Sequence, residues 1–185
     1  MAMTVVTDQQ LKQLLADPKS QRKGFEMMVC QYSEQLYWHI RRIVLIHEDA
    51  NDVLQNVFIK AWNGLDSFHG ESKLLTWLSR IAVNESIDFV RKQKHQQALS
   101  MDGEEMGIAQ QLMADEYFDG NQTEAQLQEA VAQLPDVQRT VFNLRYFEEM
   151  KYSEISKITG TSEGALKASY HIAVKKIRDF FEQRD

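Results

Sequence analysis

The sequence predicts an all-helical protein: two helical domains joined by an acidic linker, the second of them carrying a helix-turn-helix. Three observations carry this. Apolar residues recur at the i, i+3, i+4, i+7 spacing through most of the chain, the mark of helices with one buried face. Only two prolines interrupt 185 residues, so long segments run without a helix breaker. Lysine and arginine are absent between His95 and Gln138, where nine acids stand: Asp102, Glu104, Glu105, Asp115, Glu116, Asp119, Glu124, Glu129 and Asp136. A 43% hydrophobic fraction supplies a core, and the length suits one or two domains.

Composition removes several classes of protein. No apolar run approaches the length of a membrane span, so no direct membrane insertion is expected. The stretch MAMTVVTDQQ has neither the basic nor the apolar region of a signal peptide. Cys30 is the single cysteine, which leaves no intrachain disulfide or thiolate metal site and points to the reducing cytoplasm. The net charge of −6 argues against nucleic acid until its distribution is considered. With the nine acids of the middle set aside, 18 acids remain against 21 lysines and arginines, so the flanking segments can present basic faces.

Taken in order, Thr7–Ala16 is a short helix with a Thr-x-x-Gln cap, ended by Pro18. A long helix follows over Gln21–Ile46, burying Phe25, Met28, Val29, Tyr32, Leu36, Ile40 and Ile43; Cys30 is expected in or beside that core, and Arg41 and Arg42 on a solvated face. The stretch from Glu48 to His95 organises the rest. Its first helix turns Ala50, Val53, Leu54, Val57, Phe58, Ala61, Trp62 and Leu65 inward. The outer side is Asp52, Gln55, Asn56, Ile59, Lys60 and Asn63, and the large aliphatic Ile59 amid polar residues reads as a docking surface. A loop with Phe68, His69, Gly70, Glu71 and Ser72 leads to a second helix, with Leu78, Ile81, Ala82 and Val90 inward. On its other side Trp77, Arg80, Asn84, Asp88, Arg91 and His95 fall within an arc of about 80° at 100° per residue. An aromatic, two arginines and an amide provide a stacking plane, phosphate partners and a base-edge reader. Trp77 by itself equally suits the core, whereas Asn84 is harder to explain as packing. Lys92 and Lys94 extend the basic end, partly as complements to the helix dipole.

Residues 96–123 lose clean periodicity and read as the acidic linker, with at most one short helix near Ile108–Met113. Helices over Glu124–Gln133 and from Pro135 (as the first helical residue) to about Phe147 precede a short helix capped by Ser153 and a turn at Gly160. The last helix starts at the N-cap Ser162 and runs to about Phe181. It buries Leu166, Tyr170, Ala173, Val174, Ile177 and Phe181 and turns Lys167, His171, Lys175 and Arg178 outward, as a major-groove helix would.

The segments EDANDVLQNVFIKAW and FHGESKLLTWLSRIAVNESIDFVRK, followed by LPDVQRTVFNLRYFEEMKYSEIS, resemble the extracytoplasmic-function (ECF) group of the sigma-70 superfamily of RNA polymerase sigma factors over nearly the whole chain. The resemblance implies a region 2 domain over 1–95, a linker over 96–123 and a region 4 domain over 124–185. It implies core-polymerase binding through Asp49, Asp52, Gln55, Asn56, Ile59 and Lys60, with Asn56 standing where relatives carry an acid. Capture of the −10 single strand falls to Phe68, His69, Gly70, Glu71, Ser72, Trp77, Arg80, Asn84, Arg91 and Lys92. Reading of the −35 duplex falls to Arg145, Ser162, Glu163, Gly164, Lys167, Ala168, His171 and Lys175. Relatives often have basic or hydroxyl residues where Ala168, Ser169 and Ile172 stand, so the element read does not transfer. The expected partners are bacterial core RNA polymerase, promoter DNA and an anti-sigma factor; the free chain is expected to be a cytoplasmic monomer with no cofactor and no enzymatic activity. A free-standing helix-turn-helix regulator is the alternative, and it would not need the Asp52 face.

Overall fold

The computed structural model describes residues 6–68, 70, 72–99, 108–116, 118 and 120–184, with backbone only at 97–99. The described residues are helical throughout, without strands. Helix α1 spans Asp8–Ala16 and opens on a reciprocal cap: Gln10 N–H donates to Thr7 Oγ1 at 3.3 Å, and Thr7 N–H to Gln10 Oε1 at 3.0 Å. Helix α2 (Gln21–Val44) stops at Leu45, held at φ 74°. Helix α3 covers His47–Asn63, and a short 3₁₀ turn at Leu65–Ser67 leads towards α4, Leu74–Leu99. These four helices pack together because each carries one apolar stripe. Met28, Leu36 and Ile40 of α2, Val53 and Val57 of α3, and Leu74 and Leu78 of α4 are buried at their centre.

Helix α5 (Ile108–Ala114) lies where one short helix was expected, but it is not a solvated spacer. Its Ala109 and Leu112 are buried with Leu45, Ala125 and Ala132. Helix α6 (Gln122–Ala132) is capped by Asn121, which exchanges hydrogen bonds with Glu124. Helix α7 is Asp136–Phe142, so Pro135 is its extended N-cap and not its first helical residue (ψ 149°). It widens into a π-type turn over Asn143–Phe147, where Glu148 N–H reaches back to Asn143 O. Helix α8 (Tyr152–Thr159) starts one residue before Ser153, so Ser153 is not its cap; instead Glu154 Oε2 accepts from Lys151 N–H at 2.9 Å. Gly160 turns the chain at φ 70°, a left-handed position that costs glycine nothing, and α9 (Glu163–Glu182) follows from its Ser162 cap.

Several placements differ from the periodic pattern. Cys30 is exposed, because two positions beyond the buried Met28 is a rotation of roughly 200° about the helix. Val174 and Trp62 are each 42% exposed: Val174 sits just round the helix from buried Ala173, and Trp62 is a rim residue set edge-on to Phe25. Arg41 and Arg42, expected in solvent, are covered. Arg41 is 6% exposed, with its Nη2 2.7 Å from Asp115 Oδ2. Arg42 pairs with Glu148 and lies 5.3 Å over the Phe147 ring, while Asn143 Nδ2 donates to Arg42 O at 3.2 Å. The C-terminal half crosses α2 at this point, which the periodicity of α2 alone does not contain.

The two halves share one apolar cluster: Val141, Leu144, Ile155, Ile158 and Leu166 join the α1–α4 core. A second cluster, internal to the C-terminal half, groups Val131, Leu134, Phe142, Ala173 and Ile177. Buried Arg139 donates to Ala132 O and Leu134 O, satisfying carbonyls at the end of α6.

Where the halves meet, His39 is fully enclosed, with Nε2 2.9 Å from Glu148 Oε2. Burial, then Arg42, lowers the imidazole from 6.5 to about 4. A proton there would give the His39–Arg42–Glu148 trio a net positive charge away from water. The folded state therefore binds this proton more weakly than the unfolded state, so stability is complete above pH 6.5 and declines as pH falls towards 4. At 1.36 kcal/mol per unit, the full loss amounts to about 3 kcal/mol. Urea denaturation at pH 7.5 and pH 5 should show a smaller acid loss in His39→Gln than in the wild type; equal losses would remove His39 as the cause.

Candidate nucleic-acid interface

Three surfaces gather the sequence-predicted residues. On α3, Asp52, Gln55, Asn56, Ile59 and Lys60 are exposed along one side, and Ile59 keeps 59% of its surface in solvent. Lys60 reaches across to an ion pair with Glu85 of α4. Asp49 sits apart, half-buried at the edge. Burial raises its carboxyl group, and Gln93 Nε2 donates to it at 3.4 Å.

The second surface begins at the loop before α4, and α1 holds that loop. Lys12 Nζ donates to Gly70 O at 3.0 Å and lies 5.7 Å over the Phe68 ring, while Asp8 Oδ1 accepts from Leu74 N–H at 2.9 Å. Gly70 adopts φ 74°, the positive value its residue type allows. His69 and Glu71 lie outside the described residues. Trp77 is half-buried, with its ring 4.9 Å from that of Phe68: it packs against the α1–α4 core and also forms the wall of a cleft. This cleft, of about 660 Å³, is lined by Phe68, Gly70, Ser72, Lys73, Trp77 and Arg80 on one side and by Glu154 and Lys157 of α8 on the other. Arg80, Asn84, Arg91 and Lys92 continue along α4, all exposed. Arg91 is not isolated: its Nε lies 2.7 Å from Asp136 Oδ2 at the start of α7.

The third surface is the outer side of α9. Ser162 Oγ accepts from Ala165 N–H at 3.4 Å, and beyond it Glu163, Gly164, Lys167, Ala168, His171 and Lys175 are exposed. Arg145 stands behind this face. Its Nη1 donates to Met150 O at 2.9 Å and its guanidinium lies 5.3 Å over the Tyr152 ring, which also receives Lys167 Nζ at 5.7 Å. Arg145 thus braces the turn into α8.

Sequence reasoning missed Asp8 and Lys12, whose partners lie 66 and 58 residues further along, and the α8 wall of the cleft. Ile172, noted in the sequence only as a departure from relatives, is 44% exposed one helical turn beyond Ala168; a large aliphatic on an outer flank was the available signal for a contact. Among the described residues no group of His, Cys, Asp and Glu is placed to hold a metal, and no helix is long and apolar enough to cross a membrane.

Comparison with known proteins covers both halves. Residues 28–96 match the model of sigma-70 region 2, and residues 124–177 that of sigma-70 region 4. The chain is 29% identical over 184 residues to the ECF RNA polymerase sigma factor SigW of Bacillus subtilis (strain 168), covering 95% of this chain and 97% of the relative. It is 30% identical over 154 residues to the RNA polymerase sigma factor YlaC of the same organism, covering 82% and 88%. Among solved structures, the sigma factor RpoE from Bartonella quintana, in complex with the anti-sigma factor NepR, shares the fold at a TM-score of 0.64 and 22% identity, over 86% of this chain and 98% of that one. With regions 2 and 4 matched in chain order and relatives aligned almost end to end, the chain belongs to the ECF group of the sigma-70 family, non-enzymatic factors for promoter-specific initiation of transcription by RNA polymerase.

Proposed function

We propose that the three surfaces divide the work of initiation. The α3 face of Asp52, Gln55, Asn56 and Ile59, flanked by Asp49 and Lys60, docks on core RNA polymerase. The Phe68–Gly70–Ser72 loop and the Trp77, Arg80, Asn84, Arg91, Lys92 stripe of α4 take the melted −10 strand, with rings stacking on bases and cations meeting phosphates. The outer face of α9, with Lys167, Ala168, His171 and Lys175 beyond its Ser162–Gly164 start, enters the −35 major groove, and Arg145 supports it. Ala168 and Ile172 offer only carbon there, which suits thymine methyl groups. The single observation behind this reading is that three exposed faces, one apolar-centred and two basic, fall inside the matched regions in this order.

Region 2 function is assigned to 1–95 and region 4 function to 124–185, with the acidic segment 96–123 between them. The chain works in the cytoplasm, without a cofactor, as a monomer until it meets polymerase. An anti-sigma factor is its regulator, by analogy with the Bartonella complex. Titration against sigma-free core polymerase, followed by transcription from a promoter that the holoenzyme selects, tests the reading; a folded chain that never binds a cognate core would overturn it. Lys167→Ala is expected to leave core binding unchanged and to weaken promoter duplex binding. It should also flatten the slope of log affinity against log salt by about 0.9, the share of one phosphate contact. An unaltered slope and affinity would exclude Lys167 from the duplex interface.

A further inference from the structure

We propose that Asp8 and Lys12 of α1 are positioning residues for capture of the −10 strand: they hold Phe68 and Gly70 in a base-accepting arrangement before DNA arrives. The inference rests on the strand-binding role proposed for Phe68, Gly70 and Trp77, and adds what fixes their geometry.

Helix α1 stands before residue 28, where the match to region 2 begins. It is built as a rigid strut. Leu11 and Leu15 are buried in the core of α1 to α4. A Cβ at Gly24 of α2 would fall 2.7 Å from Leu14 Cβ, so a side chain there would push the two helices apart. Ser20 Oγ donates to Leu14 O at 2.9 Å and Gln21 Nε2 to Leu15 O at 3.3 Å, which ties the end of α1 to the start of α2. Asp8 and Lys12 lie one turn apart on α1, both half-buried and joined in an ion pair at 3.1 Å.

Each of these charges takes a backbone group of the loop. Lys12 Nζ donates to Gly70 O at 3.0 Å, and Asp8 Oδ1 accepts from Leu74 N–H at 2.9 Å, at the first residue of α4. The carboxylate there also meets the positive end of the α4 dipole. One turn of α1 thus grips the chain at residues 70 and 74. The same ammonium lies 5.7 Å over the Phe68 ring, which in turn is 4.9 Å from the ring of Trp77. Phe68 therefore contacts both Lys12 and Trp77, and the ring pair that would receive a base is fixed from the α1 side. Gly70, at φ 74°, has no side chain of its own to hold the turn. A loop kept in its bound shape avoids the ordering cost that a free loop would incur on binding. Lys12 acts through the loop and not on a phosphate, because its charge is already shared between Gly70 O and Asp8 Oδ2.

The experiment uses holoenzyme assembled from the full chain and sigma-free cognate core. The probe is a dye-labelled 12-nucleotide single strand spanning the −10 element of a promoter that the holoenzyme transcribes. A companion set carries an abasic sugar at each position in turn. Anisotropy titration then gives the affinity lost with each missing base, which in the wild type should reach about tenfold at one position or more. Lys12→Met keeps the aliphatic stem and removes the ammonium. It should bind the intact strand about tenfold more weakly and reduce the penalty at a captured base to about twofold. A general loss of stability would instead weaken intact and abasic strands alike, without this coupling. Lys12→Arg, which keeps a donor for Gly70 O, should restore the wild-type pattern. Binding to core polymerase should be unaltered in both variants.

A penalty that stays undiminished at every position in Lys12→Met overturns the positioning role and leaves strand capture standing. A slope of log affinity against log salt that falls by about 0.7 would make Lys12 a direct phosphate contact, and overturns it as well. If no missing base costs the wild type any affinity, the strand-capture reading itself fails, and the role of Asp8 and Lys12 with it. Circular dichroism checks folding. Should Lys12→Met lose helicity, Asp8→Asn gives the same readout with a smaller shift, since it keeps an acceptor for Leu74 N–H and gives up the ion pair that steadies Lys12.

Discussion

Ile59→Lys is expected to weaken binding to core RNA polymerase by at least about 30-fold, the equivalent of about 2 kcal/mol. Among the described residues Ile59 is the most exposed of the large hydrophobics, and it stands between Gln55, Asn56 and Lys60 on a helix whose other apolar side chains, the rim residue Trp62 apart, turn inward. It has no packing role to lose, so a surface substitution there should leave folding stability within about 0.5 kcal/mol. At an interface the result differs. A buried aliphatic anchor is replaced by an ammonium that must be stripped of water and left unpaired. Size-exclusion co-elution and a fluorescence titration against core enzyme measure the loss, with circular dichroism as the control for folding. Wild-type affinity in the variant would mean that the docking face is not on this side of α3.

Ile155→Ala should cost about 3 kcal/mol of unfolding free energy, within the range of 2–5 kcal/mol for a buried isoleucine cut back to alanine. Ile155 is fully buried on α8, in the cluster that also holds the centres of α1 to α4. The cavity would therefore open in a core shared by both halves. Urea denaturation should show a single transition moved to lower denaturant, with tryptophan fluorescence and circular dichroism coinciding. Trp38, Trp62 and Trp77 all lie before residue 108, so fluorescence follows the N-terminal half. A fluorescence transition that does not move, while circular dichroism loses an early step, would show that α8 unfolds without disturbing α1–α4 and that the shared core is not cooperative.

The Thr7–Gln10 cap, the Ser162 cap, the turn at Gly160 and the exposed Ile59 were all legible in the sequence, because each is set within one or two helical turns. The same holds for the α4 stripe, whose members share a face by the helical repeat. The start of α7 was misplaced by one residue and the cap of α8 by two: Pro135 has backbone angles suited to the first helical turn or to the position just before it, and α8 begins at Tyr152, whose ring Arg145 covers, with Lys151 as its N-cap. Cys30 and Val174 were placed too deep. Val174 adjoins buried Ala173 and Cys30 lies two positions beyond buried Met28, and the width of a buried stripe depends on the element that covers it.

Sequence alone determined which segments are helical, where α1 and α9 are capped and which side of each helix is mainly apolar, since these follow from hydrogen bonds and side-chain spacing within a few residues. It also determined that basic and acidic residues occupy different parts of the chain. Only the tertiary structure decided what those charges meet. Arg41 reaches Asp115 across 74 residues, Asn143 reaches the carbonyl of Arg42 across 101, and Lys12 reaches Gly70 across 58. An arginine at the end of a helix has the same local signature whether it faces water or a carboxylate from a distant segment. The approach of the C-terminal half to α2 and α4 makes that choice, and with it buries Arg41, encloses His39 and sets α8 against the cleft at Trp77.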